Sequence, residues 1–390
     1  MSSIFRNIKR ISILFIIAAA HILICVGCNN HKKADNANVK SDWKDLKKTD
    51  SLDLKYADQF SVDNYENGYR LITIAKQDKY LLVPEGKKVP QGVDEDIKII
   101  NLPVKNVYLA ASSVMDIFRE LDALDIIKMT GTKPEDWSIK SIQDMVSNGE
   151  IEYAGKYSTP DYEMIVDNNC DLVLESTMIY HSPEVKEQFE KMGITTWVDY
   201  SSYESTPLGR VEWIRLYGIL SGKEQKAEEF MKDCMDKYDS VTNMVKENDK
   251  KTVAFFYINS QGNAIVRKPG DYISKMIDIA GGKYVFSDVL KEKENEMSTM
   301  NMQMETFYET AVDADILIYN STIDGEIESV DQLIQKNSLL ADFKAVKEGN
   351  VWCTSKNMYQ EVTGTIEMIE NFYSVFNGNE QDTIYIHKLQ

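Results

Sequence analysis

The longest uninterrupted helical pattern of this chain covers residues 224–248 and contains neither glycine nor proline. Its apolar residues recur at spacings of three, four and seven, which places them on one stripe of an α-helix. At 1.5 Å per residue such a helix would be about 37 Å long, roughly the width of a domain. The stretches on either side each alternate short apolar runs with helical patterns. The sequence therefore predicts two α/β lobes connected by one rigid helix.

Length and charge narrow the class of protein. A chain of 390 residues exceeds one typical hydrophobic core, which favours two domains. The net charge is −18, and no basic face is evident that would suit a nucleic acid. We expect no nucleic-acid partner and attribute the acidity to a solvated surface.

The first residues have the pattern of a targeting signal. Basic residues at positions 6, 9 and 10 precede an apolar run at 11–24, and Gly27 then precedes Cys28. This pattern resembles a bacterial lipoprotein signal that is cut before Cys28, whose sulfur then carries lipid. Cys25 departs from that pattern, since leucine is usual there. The alternative is a transmembrane anchor, although the apolar run is short for a membrane span.

Residues 29–51 are polar and lack apolar periodicity, which is typical of a flexible tether. The lipid-anchored chain would then lie on the extracytoplasmic face of the cell membrane. The predicted order is a signal peptide (1–27), a tether (28–51), a first lobe with a β-rich opening (52–223), the connecting helix (224–248) and a second lobe (249–390).

Three further cysteines, Cys170, Cys234 and Cys353, are scattered through apolar contexts. Their odd number and the lack of CxxC spacing argue against a disulfide framework or a zinc knuckle. We therefore expect them to be small core residues.

Polar residues follow a predicted buried strand at 107–110. Ser112 and Ser113 come next and open a helical pattern, where a helix N-terminus can bind an anion. Simple capping of that helix by one of the two serines explains the pattern equally well.

Motifs spread over residues 104–376 resemble one family. Pro160-Asp161-Tyr162-Glu163, followed by Asp171-Leu172-Val173-Leu174, is similar to the signature of substrate-binding proteins that serve iron-siderophore and vitamin B12 ABC importers. Residues 218–222 and the long helix after them fit the same pattern, as do residues 344–347 and 350–352. Asn169-Cys170 departs from the Lys-Pro that is common before the aspartate.

The resemblance implies two Rossmann-like α/β lobes bridged by a single long helix, with the ligand in the cleft between them. It also implies that one exposed glutamate on each lobe contacts arginines of the importer permease. Glu163 and Glu305 occupy the matching positions. Each is also a first-turn glutamate, which the helix dipole alone would favour. A monomer without cofactor or catalytic activity is expected.

A metal chelate is the ligand that the resemblance implies: a ferric siderophore first, then a corrinoid or haem. Aromatic rings suit flat or macrocyclic chelates, and an arginine suits an anionic group. The candidate cleft residues lie mostly in loops after predicted strands: Ser112, Ser113, Trp137, Tyr157, Tyr180, His181 and Trp213 from the first lobe, and Tyr257, Arg267, Tyr272 and Tyr359 from the second.

Other functions have weaker support. The methionines between Met297 and Met304 could hold Cu(I), but they also suit pliable packing. A free Zn²⁺ cargo is disfavoured, because His31, His181 and His387 are the only histidines after the signal. A hydrolase would need Ser112 or Ser113 with His181. A ligand-sensing or adhesion lipoprotein of the same fold is the remaining alternative.

Overall fold

The computed structural model describes residues 42–246, 250–290, 298–379 and 383–390. Two compact units are distinguished in the chain. In the smaller one, Asp42 pairs with Gln91 in an isolated parallel bridge, and Trp43–Asp45 form a short 3-10 helix. The larger unit comprises residues 46–89 and 93–390. The predicted signal peptide and Cys28 lie outside the described residues.

The larger unit contains these helices and strands. The helices are α1 (Ser112–Glu120), α2 (Lys140–Ser147), α3 (Tyr162–Asp167), α4 (Pro183–Lys191), α5 (Pro207–Ser221), α6 (Glu224–Met244), α7 (Tyr272–Ile279), α8 (Phe286–Val289), α9 (Met304–Ala311), α10 (Val330–Lys336), α11 (Lys344–Glu348) and α12 (Thr365–Phe376). The strands are β1 (Lys48–Ser51), β2 (Phe60–Tyr65), β3 (Arg70–Ile74), β4 (Asp78–Val83), β5 (Ile97–Asn101), β6 (Val107–Leu109), β7 (Ile127–Thr130), β8 (Glu152–Tyr153), β9 (Gly155–Lys156), β10 (Thr159–Pro160), β11 (Leu172–Ser176), β12 (Thr195–Asp199), β13 (Thr252–Ile258), β14 (Ala264–Arg267), β15 (Lys283–Tyr284), β16 (Thr299–Met302), β17 (Ile316–Tyr319), β18 (Val351–Thr354) and β19 (Ile386–Lys388).

The predicted β-rich opening is a five-stranded sheet in the order β1-β2-β3-β4-β5. Strands β3 and β4 form a hairpin, and Ala75 and Lys76 take positive φ angles of 50° and 59° in its turn. The predicted tether extends too far, because β1 lies within it. That strand is wholly exposed and polar, so it lacks the apolar signal on which strand prediction depends.

The first lobe contains a fully parallel sheet in the order β12-β11-β6-β7-β8. The second lobe contains a sheet in the order β16-β14-β13-β17-β18-β19, with β15 beside β13. Its centre is parallel, and β14, β16 and β19 pair antiparallel. The predicted α/β fold class is therefore confirmed.

Helix α5 is the most enclosed helix of the first lobe, with thirteen of its fifteen residues buried. It packs against α1, α6, α7 and α12. Two glycines permit this close packing. A Cβ at Gly218 would lie 2.9 Å from the Cβ of Ala227 on α6, and one at Gly209 would lie 2.7 Å from the Tyr56 carbonyl oxygen.

Helix α6 ends at Met244, earlier than the predicted 248, because Val245 already has an extended backbone. Residues 247 and 248 of that prediction lie outside the described residues. The 21 residues of α6 span about 31 Å. Its first half forms ion pairs with Arg70 and Asp122, and the Tyr373 hydroxyl of α12 donates to the Met244 carbonyl at 3.4 Å.

Two smaller predictions have mixed outcomes. Cys234 and Cys353 are buried and Cys170 is partly buried, and all three are free thiols as expected. Ser112 and Ser113 do not cap α1; Ala111 holds the capping position, and both serines lie in the first turn. Within the part of the chain that the structure describes, no helix has the length and apolarity needed to cross a membrane.

The contact between α5 and α6 can be tested by exchanging its small residues. We expect Gly218→Ala to destabilise the fold by roughly 1–3 kcal/mol, because its methyl group has no space beside Ala227. Ala227→Gly should also destabilise, through helix propensity. The double variant should lose less than the sum of the two, as measured by urea denaturation. Strictly additive losses would contradict close packing at this contact.

Candidate functional site

The ends of strands in the second lobe bring together polar and aromatic side chains. Asn320 follows β17, Tyr359 follows β18, and Arg267 ends β14. The Tyr359 hydroxyl donates to Asn320 Oδ1 at 3.0 Å, and Arg267 Nη2 donates to the Tyr359 oxygen at 3.2 Å. Asn320 and Tyr359 lie past the carboxyl ends of parallel strands, where ligands of α/β proteins gather, and Arg267 reaches them from the antiparallel β14.

Arg267 keeps a donor without an acceptor. Its Nη1 lies 3.4 Å from Asp271 Oδ2, and its side chain is 14% exposed. Its buried Nε has no hydrogen-bond partner among the described residues. A buried donor left unpaired is costly, so an acceptor supplied from outside the chain would be favourable here.

A second guanidinium reaches this place from the first lobe. The Cζ atom of Arg210, on α5, lies 4.4 Å from the centroid of the Tyr272 ring, which is a cation–π distance. Arg210 is 6% exposed, and no hydrogen-bond acceptor for its guanidinium is found among the described residues. Burial raises the pKa of Tyr272 to about 12 although Arg210 acts against it, so the phenol stays neutral at physiological pH.

We call Arg210, Arg267, Tyr257, Tyr272 and Tyr359 the guanidinium–tyrosine cluster. Burial raises the pKa of Tyr257, while the nearby Arg267 lowers it. Arg210 and Arg267 bring two positive charges close to the buried carboxyl of Asp271, in a protein that is acidic overall. Burial raises the pKa of a second buried carboxyl, Asp199, while the charge of Arg210 lowers it. Such a place can bind an anionic group through a guanidinium fork while tyrosine faces pack against a flat ligand.

Gln360 connects the two lobes at one side of this cluster. Its Nε2 donates to the Asp136 carbonyl at 2.8 Å, and its Oε1 accepts from the Ser138 N–H at 2.7 Å. Trp137 lies between these two residues and is buried, with its indole N–H donated to the Thr132 carbonyl at 3.3 Å. Packing alone accounts for the burial of Trp137, and its contact with a ligand stays a prediction.

Asp116 makes a second connection between the lobes. It is fully buried, and its Oδ2 accepts from the Thr363 N–H at 2.9 Å and from the Thr363 hydroxyl at 2.6 Å. The Nε of Arg119 donates to its other oxygen at 2.8 Å. The carboxylate therefore has partners on both α1 and the segment before α12.

Among the described residues, no hydrogen bond or ring contact joins the remaining first-lobe candidates to the cluster. Tyr180 is 42% exposed, and its hydroxyl accepts a hydrogen bond from Tyr200 at 2.8 Å. His181 is exposed, whereas Tyr157 is half-buried against the first-lobe core. Ser112 and Ser113 are half-buried, and no hydrogen bond joins either serine to His181 among the described residues.

Trp213 has a packing position instead of the predicted ligand contact. Its exposed fraction is 0%, and its indole N–H donates to Glu204 at 2.8 Å. The Phe60 ring packs on it at 4.9 Å between centroids. The aromatic type suggested a ligand platform, but α5 turns this side chain into the core.

Glu163 and Glu305 are exposed residues in the first turns of α3 and α9. Neither forms an ion pair with another described residue. Asp161 caps α3 by accepting the Met164 N–H at 3.0 Å, which fixes the start of the helix that carries Glu163. The docking role of both glutamates stays a prediction.

The methionine segment is explained largely by packing. Met302 and Met304 are buried at the end of β16 and the start of α9, and Met300 lies against the core. Met297 lies outside the described residues. Sequence reasoning also missed Arg210, Asn320 and Gln360. Arg210 is one of three charged residues in a mostly apolar helix, with Glu212 and Arg215, and this was the available signal.

Glu175 is an unusual buried carboxyl of the first lobe. It lies on β11, is fully buried, and has no hydrogen-bond partner for either oxygen among the described residues. Burial raises its pKa to about 9. The group is therefore protonated at neutral pH in the folded chain, close to the segment that carries Tyr180 and His181.

Comparisons with known proteins give consistent results. The family model described as "Periplasmic binding protein" matches residues 109–357. An uncharacterized lipoprotein of Methanocaldococcus jannaschii is 28% identical over 378 residues, which cover 91% of this chain and 89% of the relative.

Two solved structures have a similar fold at low identity. A periplasmic heme binding protein from Pseudomonas aeruginosa aligns with a TM-score of 0.59 at 14% identity, over 74% of this chain and 99% of that one. An ABC-type Fe³⁺-hydroxamate transport system protein from Saccharomonospora viridis aligns with a TM-score of 0.54 at 18% identity, over 70% and 93%.

The protonation of Glu175 predicts a pH dependence of stability. The folded chain keeps this proton up to about pH 9, whereas the unfolded chain releases it near 4.5. The free energy of unfolding should therefore fall as pH rises between these values, by at most about 1.4 kcal/mol per pH unit. Urea denaturation at pH 5.5 and pH 8 should show a smaller loss in Glu175→Gln than in the unmodified chain. Glu163→Gln, at an exposed site, serves as the control, and an equal loss in all three chains would refute the assignment.

Proposed function

Because the chain belongs to the periplasmic binding protein family, we propose that it captures an anionic metal chelate between its two lobes and delivers it to an ABC importer. The guanidinium–tyrosine cluster is the observation that carries this proposal. It combines two arginines from different lobes with three tyrosines. Capture and release require no chemical step, so we propose that the chain is not an enzyme.

The charge of the cluster favours a ligand with carboxylate or similar groups. The unpaired Nε–H of Arg267 and the guanidinium of Arg210 can each donate a hydrogen bond to an anionic oxygen of the ligand. Charge-assisted hydrogen bonds of this kind are about twice as strong as neutral ones. Tyrosine rings supply large apolar faces at low entropic cost, which suits a planar or macrocyclic chelate.

Ferric siderophores and haem are the ligand classes with most support, followed by corrinoids. Proteins with a similar fold are named for heme and for Fe³⁺-hydroxamate. Haem carries two carboxylates on a flat ring, which matches the cluster in charge and shape. A ferric siderophore matches it where the chelate has a net negative charge.

We also propose that Cys28 carries the lipid that holds the chain on the extracytoplasmic face of the membrane. The lipoprotein pattern at Cys28 and the lipoprotein name of the archaeal relative support this. The exposed first-turn positions of Glu163 and Glu305 support their contact with the permease, since each carboxylate is accessible to a basic partner. A monomer suffices for this delivery.

Ligand binding can be tested by thermal unfolding of residues 29–390 with haem, anionic and neutral ferric siderophores, and a cobamide. A ligand at about 100 times its Kd should stabilise the chain by about 2.7 kcal/mol. Arg210→Gln and Arg267→Gln should each weaken the anionic ligand about tenfold or more, because each removes a charge-assisted hydrogen bond.

Arg70→Gln provides the matched control, since Arg70 pairs with Glu224 outside the cluster. Its affinity for the same ligand should equal that of the unmodified chain. Unchanged affinity in Arg210→Gln and Arg267→Gln would remove the cluster from the binding site.

Delivery can be tested separately from capture. We expect the double substitution Glu163→Arg, Glu305→Arg to abolish uptake of the ligand by cells and to leave its affinity in solution unchanged. Two arginines would repel the basic permease sites that the carboxylates are proposed to contact. Glu184→Arg reverses another exposed first-turn glutamate and should leave uptake intact. Loss of affinity in the double variant would contradict the docking role, and normal uptake would favour a sensing or adhesion function.

A further inference from the structure

Three potential metal ligands meet in the second lobe, and none of them belongs to the guanidinium–tyrosine cluster. One donor atom each from Glu326, Glu328 and His387 lies within 4.8 Å of the other two. Two of them come from the segment before α10 and the third from β19, close to the end of the chain. Residues far apart in the sequence are therefore collected at one point.

The backbone around these side chains is held firmly. The Gln390 N–H donates to the Glu328 carbonyl at 3.1 Å, and the Val330 N–H donates to the Gln390 carbonyl at 2.9 Å. Strand β19 also pairs with β18, where His387 lies opposite Cys353. The donors therefore project from fixed backbone positions, which lowers the entropic cost of binding a ligand.

Two distances place His387 among the other donors. Its Nε2 is hydrogen-bonded to the Ile327 carbonyl oxygen at 2.9 Å and lies 4.0 Å from Glu328 Oε2. Zinc binds imidazole nitrogen and carboxylate oxygen at about 2.0–2.2 Å, so neighbouring tetrahedral ligands are about 3.3 Å apart. The Glu328 side chain is 76% exposed and is free to rotate by the small amount required.

The two carboxylates favour a cation beside the imidazole. The Glu326 carboxylate is held in place by the backbone, because its Oε1 accepts the Lys356 N–H at 2.5 Å. Glu328 adds a second negative charge within reach of the same point. An ion pair of His387 with the exposed Glu328 would by itself contribute little.

We propose that Glu326, Glu328 and His387, with the carbonyl oxygen of Ile327, bind a divalent transition-metal ion such as Zn²⁺. Imidazole with carboxylate and carbonyl oxygens is a donor set of borderline hardness, which suits Zn²⁺. The ion would replace the hydrogen bond that His387 Nε2 donates to the Ile327 carbonyl, and the ring would then carry its hydrogen on Nδ1. The ion would join the segment before α10 to β19 and so stabilise the C-terminal end of the second lobe. It would be a structural ion, distinct from the chelate in the cleft.

Calorimetric titration of Zn²⁺ into the chain, prepared without a histidine tag, tests the proposal. We expect one equivalent to bind and to raise the temperature of unfolding. His387→Ala and Glu328→Gln should each weaken Zn²⁺ at least tenfold and reduce the shift in unfolding temperature. His181→Ala removes an exposed histidine outside the site and should bind Zn²⁺ as the unmodified chain does.

Glu328→Gln separates loss of the metal site from a folding defect, because it replaces one oxygen of an exposed side chain by a nitrogen of similar size. Its unfolding temperature without metal should equal that of the unmodified chain. Unchanged Zn²⁺ affinity in either His387→Ala or Glu328→Gln would overturn the proposal, as would equal weakening in His181→Ala.

Discussion

The close approach of other segments to helix α5 is the constraint on which the rest of the structure depends. Gly209 leaves space for the Tyr56 carbonyl, and Gly218 leaves space for Ala227 of α6. The buried Glu212 holds the segment of residues 55–57 against α5, because its carboxylate accepts the backbone N–H groups of these residues at 2.8–3.1 Å. With those contacts formed, Arg210 is directed toward Tyr272 of the second lobe. The long helix α6 has the clearest pattern in the sequence, but the shorter α5 packs against four other helices, α1, α6, α7 and α12.

The guanidinium–tyrosine cluster differs in charge from the chain as a whole. The chain as a whole is strongly acidic, yet the cluster places two guanidiniums where the lobes meet. An anionic ligand would be repelled by most of the surface and attracted at this one place, which favours binding in a defined orientation. Partial burial strengthens that attraction, because solvent screens it less than it screens exposed charges.

Sequence patterns identified the elements that carry their own apolar signal. The central strands β13, β17 and β18 and the helix α12 are each an uninterrupted apolar run or stripe, which is the pattern by which a sequence identifies buried elements. Strands β14, β16 and β19 were missed. All three pair antiparallel at the two sides of the parallel centre, and each is only three or four residues long, so its own sequence carries little apolar signal. Arg267, Tyr272 and Tyr359 were predicted as site residues and the structure brings them together. The sequence analysis named Trp213 and not Arg210 as a residue of the cleft. Both outcomes have one reason: α5 is buried on nearly every side, so only packing decides which of its residues faces the other lobe.

Among the residues that the structure describes, the side chain of Gln360 bonds only to main-chain atoms of the opposite lobe, the Asp136 carbonyl and the Ser138 N–H. Any residue except proline at position 138 offers the same N–H, and any residue at position 136 offers the same carbonyl. Mutations could therefore accumulate in that loop without breaking the connection. Ligand preference could then change through substitutions of side chains in the cluster. The contact between the lobes would be preserved meanwhile, because it depends on the peptide backbone.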